Sequence, residues 1–299
     1  LACAEAAASR GLSVEVFEAE DEIGGQFRYA MRVPGKEEFA ASLAYFSRRL
    51  DVLGVPVHLG RRAAAADVAG FDHVVVATGV RPREPDLPGA DHPMVMTYPE
   101  LLTGARRPGR RVAVIGAGGI GVDVSVFLLA GGPGLDLDGR RAHGHSTDVV
   151  AWKRHWGVTD PAVDRAGLGT AVLDDPAHEV HLLQRKTTSI GKGLGKTTGW
   201  VHRAELKTGG VQQYTGVTYE KIDDDGLHIL DADGAHRVVH VDSVVVCAGQ
   251  ESVRDLADEL AGPGGGAGAR VHVIGGADVA AELDAKRAIK QGVELAATL

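Results

Sequence analysis

The run RVAVIGAGGIG at 111–121 constrains this chain more than any other segment. A short apolar strand pattern leads without a break into Gly116-x-Gly118-x-x-Gly121, and an apolar helical pattern continues to about Ala130. The first glycine permits a tight strand-to-helix turn. The second lets a pyrophosphate approach the backbone, and the third lets helix and strand pack closely. The helix N-terminus then offers unpaired N–H groups and a positive dipole end to phosphate. A glycine loop alone occurs often by accident; a strand before it and a helix after it are the context a dinucleotide site requires.

The end of the next strand distinguishes the two nicotinamide dinucleotides. That strand is expected at 179–184, EVHLLQ, and it ends in Gln184-Arg185-Lys186 with no acid. An acid there would bond the ribose 2′-hydroxyl, whereas basic residues suit a 2′-phosphate. An exposed basic turn is the bland alternative; its position favours NADP(H). A second pattern of the same kind stands at the start. LACAEAAASRG (1–11) reads as a helix ending at Gly11, and SVEVF (13–17) as a strand followed by Glu18. An acid at that place suits the free ribose hydroxyl of FAD, although a solvated strand-end glutamate would look the same. The first strand of this unit and its glycine loop should lie upstream, and the chain is expected to lack them. Asp278 follows Gly275-Gly276 and precedes a helix, as a helix cap or a flavin-side contact would.

The 299 residues leave room for two domains of about 100–200 residues each. The expectation is an α/β chain of two Rossmann-like nucleotide-binding domains, with an FAD-binding domain interrupted by an inserted NADP(H)-binding domain. The boundaries fall at 1–107 for the first FAD part, 108–250 for the NADP(H) domain, and 251–299 for the second FAD part. Within the inserted domain, about 131–177 reads as a long glycine-rich polar insert. A turn at Gly24-Gly25-Gln26, a helix near 36–53, strands at 55–59 and 73–79, a proline-rich crossing at 81–89 and a strand pair or small sheet over 211–241 fill the remainder. Further strands are expected at 241–249 and 270–278, with a closing helix over 280–299.

Other classes are disfavoured. A net charge of −8 repels phosphate polymers and anionic lipid, and 5% aromatic residues leave little for base stacking. No apolar run reaches the roughly 20 residues of a membrane span. A cytoplasmic protein is expected, with neither nucleic acid nor membrane as partner. The two cysteines, Cys3 and Cys247, form no CxxC pair, so no cysteine redox centre and no zinc site are expected. His143, His145 and His155 stand without companions for a metal and read as surface residues. GKGLGKTTGW at 191–200 imitates a phosphate loop, but Ile190 stands where a glycine is required and no strand leads into it.

Several segments together carry a more specific likeness: FEAEDEIGGQF, VPGKEEF, VAVIGAGGIGVDVSVFL, LLQRK, GLGKTTGWVHR, GVTYEKIDDDGLHI, VVVCAGQE and VIGGADVAAELDAKRAIKQG. With them the chain resembles, over nearly its whole length, the C-terminal part of bacterial NADPH-dependent 2,4-dienoyl-CoA reductases, which share their plan with trimethylamine dehydrogenase. The resemblance implies an N-terminal FMN barrel and a [4Fe–4S] linker as partners outside this chain. It implies that hydride passes here from NADPH to FAD. It places FAD against Glu18, Gly24, Gly25, Gln26, Thr78, Gly79 and Asp278, with Lys286 and Arg287 offsetting negative charge. NADP(H) meets Gly116, Gly118, Gly119, Ile120, Gly121, Arg185 and Lys186, above Gly249. The cofactors own the reacting atoms, so no protein acid, base or nucleophile is implied. Two other readings remain open: a trimethylamine-dehydrogenase-like or other ene-reductase module, and a separate non-catalytic nucleotide-binding or electron-transfer subunit.

Overall fold

The computed structural model describes residues 1–132, 148–173, 175–262, 268–280 and 284–299. His143, His145, and much of the expected polar insert and of the spacer at 262–268 lie outside the described residues. The chain runs α1 (Ala2–Ser9), β1 (Val16–Phe17), α2 (Gln26–Ala30), α3 (Phe39–Val52), β2 (Val57–His58), β3 (His73–Val76) and β4 (Val80–Pro82). There follow β5 (Val95–Thr97), α4 (Tyr98–Thr103), β6 (Arg111–Ile115), α5 (Gly119–Ala130), α6 (Val149–Trp156) and β7 (Glu179–Gln184). Next come α7 (Gly199–Thr208), β8 (Gln212–Thr215), β9 (Thr218–Asp223), β10 (Gly226–Leu230), β11 (His236–Val239) and β12 (Ser243–Val246). β13 (Gln250–Ser252), α8 (Asp255–Ala261), β14 (Arg270–Val273) and α9 (Ala285–Ala296) complete the set. Two compact units result: one of Leu1–Arg28, Glu38–Arg81 and Gln250–Leu299, the other of Tyr29–Glu37 and Pro82–Gly249.

The second unit is built on a five-stranded parallel sheet, β5-β12-β6-β7-β8. β6 lies at its centre, with Val114 between Leu182 of β7 and Val245 of β12. Val112 to Ile115 are buried on both faces, which is why this strand reads as an unbroken apolar run rather than an alternation. One face packs Val112, Val114, Val180 and Leu182 against Tyr98 and Leu101 of α4, Phe127 and Leu128 of α5, and Leu206 of α7. The other packs Ala113, Ile115, Leu183 and Val244 against Ile222, Leu227, Ile229 and Val239. Those last residues belong to a three-stranded antiparallel sheet, β11-β10-β9. The strand pair or small sheet expected over 211–241 is therefore four strands divided between two sheets: β8 extends the parallel sheet, and β9 to β11 cover its face. Helices α4, α6, α7 and α8 arise where none was read. At α4, Thr97 Oγ1 accepts from the Glu100 amide, and the Glu100 carboxylate accepts from the Thr97 amide at 2.8 Å, a capping box. At α6, the Asp148 carboxylate accepts from the amides of Val150 and Ala151. His155 on α6, expected at the surface, is buried beside the Trp156 ring.

The first unit holds shorter parallel pairs, β1 with β2 and β3 with β14, and a ladder of β4 with β13. No described strand hydrogen-bonds across from the β1–β2 pair to the β3–β14 pair. β1 and β2 are two residues each, where five were expected for each. Val74 and Val76 pack with Ala257 and Leu260 of α8; Ala4, Leu50 and Val55 form a second small cluster. α1 lies on α9, so close that a β-carbon on Gly292 would stand 3.1 Å from the Cys3 amide nitrogen. α9 begins at Ala285 rather than at 280, because Asp284 caps it by accepting from the Arg287 amide at 2.6 Å. Among the described residues, no helix is long and apolar enough to cross a membrane.

Candidate nucleotide-binding sites

In the second unit the candidate residues collect at the carboxyl ends of the parallel strands. Chain order reverses on either side of β6, with β12 on one flank and β7 on the other, so a crevice opens there by topology. Gly116 leaves β6 with φ +102°, and a β-carbon on it would stand 2.7 Å from the Cys247 carbonyl oxygen. A β-carbon on Gly121 would stand 1.8 Å from the Gly116 carbonyl oxygen. Those two positions admit only glycine. Gly118 and Gly119 differ, since nothing lies within 4 Å of a β-carbon on either. The turn is thus closed on the protein side and open on the other. Gly118 occupies the N-cap of α5, and no side chain caps that helix end. Its first amides, from Gly119 and Ile120 onward, face the open side with their hydrogen-bonding capacity intact. This donor set fits a dinucleotide pyrophosphate.

Arg185 and Lys186 leave the end of β7 and are exposed. Their turn is braced by hydrogen bonds. The Gln184 amide side chain donates to the carbonyls of Lys186 and Thr188, and the Gly216 amide donates to Lys186 at 2.9 Å. Gly249 follows β12 with φ +102°. Arg83 lies along it: a β-carbon on Gly249 would stand 3.5 Å from the Arg83 guanidinium carbon, and the Arg83 amide donates to the Gly249 carbonyl at 3.1 Å. Arg83 is a cation at the crevice that sequence reading missed. Its run RPREP carries no spacing that points there; the contact exists only because β12 returns beside β6. Cys247 is buried, and burial pushes its thiol well above the ordinary range.

The first unit gathers its candidates around two glycine turns. Glu18 follows β1, and its carboxylate accepts from the Glu20 amide at 3.1 Å. Gly24 and Gly25 both have positive φ, +130° and +50°. The Gln26 side chain reaches the Val80 carbonyl at 3.5 Å and accepts from the Gln250 side chain. Thr78 donates to the Val253 carbonyl, and the Val253 amide donates to Gly79 at 3.0 Å. Gly79 has φ +75° and open space beside it. Gly276 is pressed against this turn, where a β-carbon would stand 2.8 Å from Val80 and 3.1 Å from the Gly79 carbonyl carbon. Gln291 joins the next turn together, accepting from the Gly275 amide at 2.8 Å and donating to Asp278 at 3.1 Å. So Gln26, Thr78, Gly79 and Asp278 converge, held by Gln250, Val253 and Gln291. Glu18 sits apart on the β1–β2 pair. Lys286 is exposed on α9, while Arg287 turns back to donate to the Val279 carbonyl at 2.6 Å. A cluster of backbone turns with open glycines and few charges fits an extended, ring-bearing nucleotide.

A parallel sheet with a glycine turn opening an uncapped helix, joined in one chain to a second set of nucleotide-type turns, defines a flavoprotein oxidoreductase module of the FAD/NAD(P) Rossmann type. Residues 1–269 match the pyridine nucleotide-disulphide oxidoreductase family, and the chain belongs to it. The metal reductase of Desulforamulus reducens is 25% identical over 265 residues, 87% of this chain and 37% of that protein. A 2-naphthoyl-CoA reductase structure matches with a TM-score of 0.77 at 23% identity, over 100% of this chain and 38% of that one. Histamine dehydrogenase from Rhizobium sp. 4-9 matches at 0.70 and 19%, over 100% of this chain and 40% of that one. At these identities the structural likeness is one of fold. The chain spans well under half the length of these relatives. Its two cysteines, both free, stand in separate units, so it carries the family's fold without the sequence signature of a cysteine pair.

Proposed function

We propose that this chain is the NADPH-oxidising, FAD-reducing part of an ene-reductase of the 2,4-dienoyl-CoA reductase type. Arg185 and Lys186 carry this reading, standing at the end of the strand beside the Gly116–Gly121 turn, where Gln184-Arg185-Lys186 includes no acid. That pair favours a 2′-phosphorylated dinucleotide. The open face of Gly118 and Gly119 leaves room for its pyrophosphate. Bound nicotinamide and flavin supply the chemistry themselves, a hydride leaving one ring for the other. The protein's share is placement: glycine turns fix the two phosphate groups, and basic side chains balance their charge. FAD would be held by Gly24, Gly25, Gln26, Thr78, Gly79 and Asp278, with Glu18 on its ribose and Lys286 and Arg287 near its charge. The acyl thioester reduction, with its FMN barrel and iron–sulfur linker, would belong to residues outside this chain. Support for a thioester substrate comes from the specific segments GLGKTTGWVHR and ELDAKRAI and from the fold shared with 2-naphthoyl-CoA reductase.

An amine-dehydrogenase-type module is the second reading, favoured by the fold shared with histamine dehydrogenase. Anaerobic titration of the FAD-loaded protein separates the two. Fast bleaching of the visible flavin band by NADPH, and slow bleaching by NADH, is expected. Bound FAD that neither nucleotide reduces would overturn the reductase reading in favour of the amine-dehydrogenase or non-catalytic one.

A further inference from the structure

Tyr219 stands where the glycine turn and the end of the second strand meet. It lies on β9, paired with Ile229 of β10, and its ring packs on the core formed by Ala113, Ile115 and Leu183. The chain just before it is tied to the turn that carries the basic pair: the Gly216 amide donates to Lys186 at 2.9 Å and the Val217 amide to Gln184 at 3.2 Å. The Tyr219 hydroxyl oxygen is buried and has no hydrogen-bond partner. The charge of Arg185 acts on that oxygen, and the Gly116 amide approaches it while donating its own hydrogen bond to the Leu183 carbonyl at 2.9 Å. Burial raises the phenol far above its ordinary range, so the hydroxyl keeps its proton and remains a donor at any physiological pH.

A buried hydroxyl without a partner is an exception that folded proteins rarely leave in place unless something else fills it. In a dinucleotide unit the adenosine ribose lies between the first glycine and the end of the second strand. Here those are Gly116, whose amide approaches the Tyr219 oxygen, and Arg185, whose charge acts on it. Resting on the reading that NADPH seats on the Gly116–Gly121 turn, we infer that Tyr219 is a specificity-determining residue whose hydroxyl donates a hydrogen bond to the adenosine 2′-phosphate beside Arg185. A guanidinium and a phenol together suit one oxyanion: the first gives charge, the second a short directional donor.

Tyr219→Phe removes the hydroxyl and keeps the packed ring. Binding of NADPH, NADH, 2′,5′-ADP and 5′-AMP is measured for wild type and variant, with the thermal midpoint of each nucleotide-free protein. The loss of one hydrogen bond predicts roughly threefold to tenfold weaker NADPH and 2′,5′-ADP binding, with NADH and 5′-AMP unchanged. The nucleotide-free variant should melt at the same temperature or higher, because an unpaired buried group has been removed. Unchanged NADPH affinity, an equal loss for NADH, or a lowered midpoint would each overturn the inference, the last by making the hydroxyl a structural group. A wild type without preference for NADPH overturns this inference and the NADPH reading together; a preference undiminished in the variant overturns this inference alone.

Discussion

Gly121 and Gly116 are in backbone contact, such that a β-carbon on Gly121 would stand 1.8 Å from the Gly116 carbonyl oxygen. The first turn of α5 is thereby pressed onto the end of β6, and the open side of the turn keeps its shape without any side-chain cap. Gly121→Ala should force the helix away from the strand. The expected cost is about 1–3 kcal/mol of stability, as for other overpacked sites, with nucleotide binding lost beyond detection. Urea denaturation and a nucleotide titration measure the two effects. A variant of wild-type stability that still binds would show that the contact is not required.

Arg185 and Lys186 are exposed, so their replacement should leave the fold intact. Arg185→Ala with Lys186→Ala is expected to weaken NADPH binding by roughly tenfold to a hundredfold, the range for lost charge-assisted hydrogen bonds. NADH binding should change little, and the NADPH preference should also shrink as salt is raised. Equal losses for both nucleotides would contradict the 2′-phosphate assignment.

Two histidines, His181 buried and His272 half-buried, set an acid-side pH dependence. His181, on β7, contacts the Tyr214 hydroxyl at 3.2 Å and Glu179 at 3.3 Å. Burial lowers its affinity for a proton below the ordinary 6.5, outweighing the attraction of Glu179. His272, stacked on His73 at 3.0 Å between ring nitrogens, is lowered in the same sense by burial and by its neighbour. The unfolded chain therefore binds more protons than the folded one below about pH 6.5, and stability falls as pH drops from 7 towards 5. Replacing His181 and His272 with Gln should flatten that slope, read from urea midpoints at pH 7 and pH 5. An unaltered slope would place the acid sensitivity elsewhere.

The two thiols should differ in reactivity. Cys247 is buried with its thiolate strongly disfavoured, and Cys3 is half-buried with a more modest rise. Since the thiolate is the reacting form, a chromogenic disulfide reagent should label Cys3 slowly in the native protein and Cys247 only on unfolding. Rapid labelling of both would mean that α9 and the sheet open readily.

Residue type and spacing alone determined much of this molecule. β6, its glycine turn and α5 were legible because one short run contains everything they need: β-branched residues, glycines at forced positions and an apolar helix. β7 was legible to the residue for the same reason. The capping box at Thr97 and Glu100 is equally present in the sequence, but two residues of cap are a weak signal beside long apolar runs. The tertiary structure decided the rest. β1 and β2 shrink to two residues each because a strand's length depends on the partner beside it, and sequence names no partner. The chain over 211–241 is divided between two sheets because β8 finds an open edge on β7, while the strands after it find an uncovered apolar face. Arg83 beside Gly249, and Tyr219 beneath Gly116 and Arg185, follow from strands that meet only after the sheet has closed. Local chemistry fixes what a backbone turn can hold. Which distant side chains surround that turn is settled by packing, where free energy depends on contacts between residues far apart in the chain.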